Sequence, residues 1–163
     1  MTEYPFSPIY DKNSKILILG SFPSVKSREQ KFFYGHPQNR FWKVISTVLE
    51  SDVPQSVDEK KKLLLENGIA LWDVIASCDI TGSSDSSIKN VKVNDLSRIM
   101  EEADIGRIFI NGRTAEKYFK KYTKAQINRD AVCLQSTSPA NAAWSLERLV
   151  GEWKMIKRCL TEN

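Results

Sequence analysis

With 163 residues, 41% of them hydrophobic, the chain carries enough apolar material for a substantial core and is expected to form one domain over residues 1–163. A net charge of +4, from 24 basic against 20 acidic residues, is a mild bias that suits a polyanionic partner without requiring one. Three widely spaced cysteines and a single histidine exclude zinc-finger and iron–sulfur frameworks, and no apolar run is long enough to span a membrane. With no signal-peptide pattern at its start, the chain is expected to be soluble and cytoplasmic, with Cys78, Cys133 and Cys159 reduced.

Residues 1–14, with Pro5, Pro8 and several aromatics, are expected to lie over the surface of the fold. Ile16 to Leu19 is a continuous apolar run ending at Gly20, the pattern of a strand buried on both faces. Ser21 to Ser24 reads as a tight turn. The stretch Lys31 to Leu49 then has two halves. Phe41, Trp42, Ile45, Val48 and Leu49 fall at helical spacing, predicting a helix over about Asn39 to Leu49. Ahead of it stand Phe33, Tyr34, Gly35, His36, Pro37, Gln38, Asn39 and Arg40, a polar and aromatic cluster for which a core has no use.

Ser56 and Glu59 form a capping-box pattern opening a Lys-rich helix that Asn67-Gly68 closes. Ile69 to Val74 reads as a second buried strand, and the polar stretch Cys78 to Asn90 as a long loop. Asn94 is placed to cap a helix reaching about Ala103. Arg107 to Ile110 reads as a third strand ended by Asn111-Gly112, and Thr114 to Tyr122 as a short basic helix. Ala131 to Leu134 is a fourth strand, followed by Ser136-Thr137-Ser138-Pro139-Ala140-Asn141. The last helix puts Leu146, Leu149, Val150, Trp153, Ile156 and Leu160 on one face. Short buried strands alternating with helices predict an α/β fold: a three-layer αβα arrangement around a four-stranded, mostly parallel sheet. Ligands of such sheets bind at the carboxyl ends of the strands, where this chain gathers Gly20 to Ser24, Asp73, Asn111-Gly112 and Ser136 to Ser138.

The turn after the first strand lacks both Gly-x-Gly-x-x-Gly and Gly-x-x-x-x-Gly-Lys, so neither a dinucleotide fold nor a P-loop is supported. Gly-x-Ser-x-Gly is also missing. Three segments do fit a known pattern. Gly20-Ser-Phe-Pro-Ser, Tyr34-Gly-His-Pro-Gln-Asn-Arg-Phe-Trp42 and Ser136-Thr-Ser-Pro-Ala-Asn141, in this order and spacing, resemble the signature of the uracil-DNA glycosylase superfamily. Among its branches the chain looks most like the hypoxanthine (deoxyinosine) DNA glycosylase family, whose first motif reads Gly-Ser-Phe-Pro-Ser. Asn39 to Ile45 is also similar to the mismatch-specific branch. The resemblance runs from about Lys15 to Trp144.

That resemblance implies hydrolysis, without cofactor or metal, of the bond joining a deaminated base to its sugar, after the base is rotated out of the duplex. It implies DNA containing deaminated bases as the partner, and a monomer is expected. Most of the superfamily has Asp or Asn at the third position of the first motif, where this chain has Phe22. In the hypoxanthine family the water is positioned instead by the asparagine of Gln-Asn-Arg-Phe-Trp, here Asn39, which would orient it through its carbonyl. Asn39 equally suits a helix cap. The resemblance puts Gly20, Ser21, Phe22, Tyr34, His36 and Asp73 around the base. Tyr34 would stack on it and Asp73 would accept the N1–H of hypoxanthine, although Tyr34 is also a plausible core aromatic and Asp73 a loop cap. His36 would bond the leaving base or a phosphate, or brace its turn. Ser24, Arg113, Ser136, Thr137, Ser138 and Asn141 would hold DNA, with Lys26 and Lys117 as further phosphate ligands. The alternatives are a uracil-DNA glycosylase of the mismatch type, a non-catalytic nucleic-acid-binding module on the same scaffold, and a small-molecule enzyme on a flavodoxin-like fold.

Overall fold

The computed structural model describes residues 2, 3 and 7–161. Its strands are β1 (Thr2–Glu3), β2 (Ile16–Gly20), β3 (Ile69–Asp73), β4 (Ile75–Asp79), β5 (Lys89–Val93), β6 (Arg107–Asn111) and β7 (Val132–Leu134). Its helices are α1 (Val25–Gln30), α2 (Phe41–Val48), α3 (Val57–Glu66), α4 (Ser97–Glu102), α5 (Arg113–Tyr118), α6 (Lys124–Ile127) and α7 (Leu146–Thr161). One turn of π-helix, Phe119–Thr123, joins α5 to α6. No helix among the described residues is long and apolar enough to cross a membrane.

Strands β3, β2, β6 and β7, in that order, make the expected four-stranded parallel sheet. Because side chains alternate along β2, Ile16 and Ile18 enter the core formed with α2, α3 and α7. Leu17 and Leu19 enter the opposite core, formed with α4 and α5. Covering both faces gives the three-layer arrangement, and it explains why the strand reads as an unbroken apolar run. From β2 the chain steps to β3 on one side and later to β6 on the other, so the strand order reverses at the end of β2.

Helix α2 is held by aromatic packing. Phe41 and Trp42 are buried, the Trp42 indole N–H donates to Phe33 O at 3.1 Å, and Phe41 meets Trp153 of α7 edge to face at 5.9 Å. The capping box of α3 forms with a shift: Ser56 Oγ accepts from Glu59 N at 3.1 Å, while the Glu59 carboxylate reaches back to Gln55 N rather than to Ser56 N.

Four expectations need correcting. The stretch from Cys78 to Asn90 is not one loop: Cys78 and Asp79 end β4, Lys89 and Asn90 begin β5, and these antiparallel strands join β1 in a second, three-stranded sheet. Asn94 caps no helix. Its amide is buried and donates to Asp73 O at 2.9 Å and Ile75 O at 3.4 Å, while Asp95 accepts from Ser97 N at the start of α4. The N-terminal segment does more than lie on the surface, since Thr2–Glu3 is a strand and Ile9 pairs with Leu71 at the edge of the parallel sheet. Residues 4–6 of that segment, Pro5 among them, lie outside the described residues. Leu146, placed on the apolar face of the last helix, is 39% exposed.

Trp153 ties α7 to the sheet, being fully buried with its indole N–H donating to Gln135 O at 3.0 Å. Trp153→Ala should therefore cost about 3–5 kcal/mol of stability, read as a lowered urea midpoint at unchanged slope.

Candidate active site

The register of the parallel sheet sets the floor of the site. Gly20 pairs with Asp73, Leu19 with Ile110 and Asn111 with Leu134, so all four strands end level. Above these ends lies a cavity of about 190 Å³, room for a base-sized group, walled by Gly20 to Ser24, Phe33, Tyr34, Asn39, Asp73, Asn111 and Ser136 to Ser138. Three peptide segments far apart in sequence thus meet, as the motif spacing led one to expect.

Gly20 is needed for close approach. A Cβ there would collide with Asp73 Oδ1 and stand 2.7 Å from Tyr34 Oη, so these two oxygens converge over a position that only glycine leaves open. Tyr34 has a left-handed backbone (φ 53), unfavourable for a bulky side chain. It is held there by stacking on Phe41, with ring centres 4.1 Å apart, and by Asn111 Nδ2 donating to its hydroxyl at 3.2 Å. Burial first, and the Asp73 charge second, hold the Tyr34 phenol above its ordinary 10.0, with the Asn111 bond opposing.

Asn39 stands at the entrance to α2 with its carbonyl already in use. Its Oδ1 accepts from Phe41 N at 2.9 Å and from Thr137 Oγ1 at 2.9 Å. Asn39 thus satisfies the first amide of α2 from one residue ahead of the N-cap position, which Arg40 occupies. These two donors take both lone pairs of the Asn39 carbonyl. Thr137 in turn is buried at 0% exposure and belongs to the cavity wall. Thr137 Oγ1 accepts from Asn111 Nδ2 at 3.0 Å, and Thr137 N donates to Asn111 Oδ1 at 3.0 Å.

The other expected residues divide. Ser21, Phe22, Ser24, Arg113, Ser136 and Ser138 line the cavity. Ser24 is also the N-cap of α1. His36 is not in the lining: its Nδ1 accepts from Gln38 N at 3.1 Å, so the ring braces the turn before Asn39. Asn141 lies in an adjoining depression, its amide donating to Ser136 O at 3.0 Å. Lys26 pairs with Glu29, and Lys117 lies over the Tyr118 ring, both outside the cavity.

Several contributors went unread in the sequence. Arg40 clamps the loop after β7, donating from its backbone to Thr137 O at 3.1 Å and from its guanidinium to the carbonyls of Ser138, Asn141 and Trp144. Its position in Asn-Arg-Phe-Trp was the available signal. Asn111 is expected from the sequence at the end of its strand on the ligand-binding rim, but the sequence assigns its side chain no role, whereas its amide joins Tyr34 to Thr137. Asp85, on the 3₁₀ turn Asp85–Ser87 between the strands of the second sheet, reaches the cavity rim, where desolvation raises its carboxyl and a hydrogen bond to Thr114 opposes. Nothing in the sequence marks it. Among the described residues no group of three or more His, Cys, Asp or Glu gathers to hold a metal.

The family profile described as the uracil DNA glycosylase superfamily matches residues 7–158. A hypoxanthine DNA glycosylase of Methanosarcina acetivorans is 34% identical over 97% of this chain and 99% of its own. One from Methanosarcina barkeri is 34% identical over 72% of this chain and 76% of its own. Among solved structures, the solution NMR structure of a Methanosarcina acetivorans protein described as a uracil DNA glycosylase superposes with a TM-score of 0.82 at 33% identity. It covers 96% of this chain and 97% of that one.

The raised Tyr34 phenol makes a prediction about stability. The folded protein keeps a proton that the unfolded chain releases near pH 10, so this contribution is full below about pH 10 and is lost as pH rises beyond it. Urea midpoints measured between about pH 9 and pH 11 should fall, and Tyr34→Phe should flatten part of that fall.

Proposed function

The chain belongs to the uracil-DNA glycosylase superfamily and is a DNA glycosylase, and from that premise we propose that it removes hypoxanthine from DNA, initiating base excision repair. The observation that carries the substrate is Asp73, a buried carboxylate at the end of β3 facing a base-sized cavity. In hypoxanthine the ring N–H lies between one carbonyl and a C–H. In uracil it lies between two carbonyls, so a carboxylate accepting that N–H sets its second oxygen against a lone pair of uracil but against a C–H of hypoxanthine. Tyr34 and Phe22 supply aromatic walls for a flipped base, and flipping exposes the edge that Asp73 reads.

As the N-glycosidic bond breaks, its electrons leave with the base and the sugar becomes oxocarbenium-like. Water adds to C1′, and its proton passes to solvent or to the departing base. Asn39 holds that water at the cavity wall; being neutral, it orients rather than deprotonates it, which suffices for so electrophilic a carbon. Ser24, Arg113, Ser136 and Ser138, at the rim, bind the phosphates on either side of the flipped nucleotide. Among the described residues no lysine lines the cavity, in keeping with hydrolysis without a Schiff base and an abasic product left uncut. A second reading, excision of uracil opposite guanine, draws on the similarity of Asn39 to Ile45 to the mismatch branch and on the description of the solved structural relative.

Single-turnover base release from duplexes carrying one deoxyinosine or one deoxyuridine tests this. Inosine should be cleaved faster, Asn39→Ala should lose roughly 10²-fold or more in rate, and Asp73→Asn should lose the preference for inosine. Uracil cleaved alone would favour the second reading, and a covalent adduct trapped by borohydride would overturn the monofunctional mechanism.

A further inference from the structure

The network behind Asn39 fixes more than its position. A backbone N–H can only donate, so the bond from Phe41 N identifies the Asn39 atom it meets as the carbonyl oxygen. The same logic applies to Asn111, whose Oδ1 is identified by the Thr137 backbone N–H. Asn111 Nδ2 must then donate to Thr137 Oγ1, which leaves the Thr137 hydroxyl proton for Asn39 Oδ1. The donors run in one direction, from Asn111 to Thr137 to Asn39, and no link can reverse without setting two donors or two acceptors face to face. Asn39 Oδ1 is thereby saturated. The group it retains for the cavity is its amide Nδ2, which makes no hydrogen bond among the described residues.

The geometry assigns Thr137 as a positioning residue that, oriented by Asn111, fixes Asn39 with its amide N–H toward the cavity, so that Asn39 acts on the water or the departing base as a hydrogen-bond donor. This rests on the reading of Asn39 given above and adds the atom and the residue that sets it. A water that accepts from Nδ2 keeps a lone pair for C1′. A base carbonyl that accepts from it gains stabilisation as negative charge develops there. Thr137 is suited to the task because it is fully buried and both its backbone and its hydroxyl are committed, so it has no other orientation to adopt.

The test is single-turnover cleavage of deoxyinosine duplex together with its binding affinity, for Thr137→Val, Thr137→Ser, Asn39→Asp and Asn39→Ala. Thr137→Val removes the hydroxyl at nearly constant shape and should slow cleavage roughly tenfold to a hundredfold while leaving affinity within about threefold. Thr137→Ser keeps the hydroxyl and should stay within about threefold of the parent. Asn39→Asp still accepts from Phe41 and Thr137 but offers no N–H, and should fall to the level of Asn39→Ala. A parental rate in Thr137→Val, a Thr137→Ser protein as slow as Thr137→Val, or an Asn39→Asp protein at or above the parental rate would each overturn the inference. If Thr137→Val does not fold, Asn39→Asp still decides whether donor or acceptor is needed. Full cleavage by Asn39→Ala would remove the functional reading and this inference together, whereas its loss with no effect at Thr137 removes the inference alone.

Discussion

The site depends on one strand being paired on both edges. β2 lies between β3 and β6 in parallel register, so Gly20, Asp73 and Asn111 are delivered to the same level by backbone hydrogen bonds rather than by their own contacts. The three residues come from separate strands, and what those strands share is the apolar run that precedes each of them. The absence of a Cβ at Gly20 then turns this alignment into a recess, because the oxygens of Asp73 and Tyr34 occupy the space a side chain would take.

Placing polar side chains in that recess has a cost that the network offsets. An unsatisfied buried donor or acceptor costs about 1–3 kcal/mol, and Asn111 and Thr137 are both buried. Each is matched: Asn111 donates twice and accepts once, and Thr137 donates through backbone and hydroxyl while accepting from Asn111 and Arg40. Satisfied in this way, the groups are rigid. The left-handed backbone of Tyr34 belongs to the same account, since stacking on Phe41 and the Asn111 bond hold it against its local preference. Rigidity is what a hydrolytic site of this kind needs, because it stabilises charge that appears only as the bond breaks and has no time to gather donors then.

Arg40 shows how the two halves of the site are fastened. It follows Asn39 directly, yet its guanidinium grips carbonyls of the loop after β7, about a hundred residues later in the chain. The charge that sequence reading would offer to phosphate is therefore spent on carbonyls inside the protein, while the serines and Arg113 are left at the rim.

What local pattern could determine was read correctly because its cause is local. An apolar run flanked by turn residues means a strand with both faces covered, and i, i+3, i+4 spacing means a helix face. Those two signals recovered the four-stranded parallel sheet and α2, α3 and α7, and the three motifs recovered the family. The second sheet escaped because its strands alternate buried Cys78 and Ile75 with Asp79, Lys89 and Lys92, and its ladder slips register, so no clean period survives. Asn39 escaped more deeply. Its type and place were legible, but which of its two amide atoms faces the cavity is set by a hydroxyl 98 residues away, itself oriented by an asparagine 26 residues before it. Sequence by itself determined the elements and the cast of residues, because periodicity is a property of neighbours along the chain. Only the tertiary structure decided which lone pairs remain free, because hydrogen-bond saturation is a property of neighbours in space.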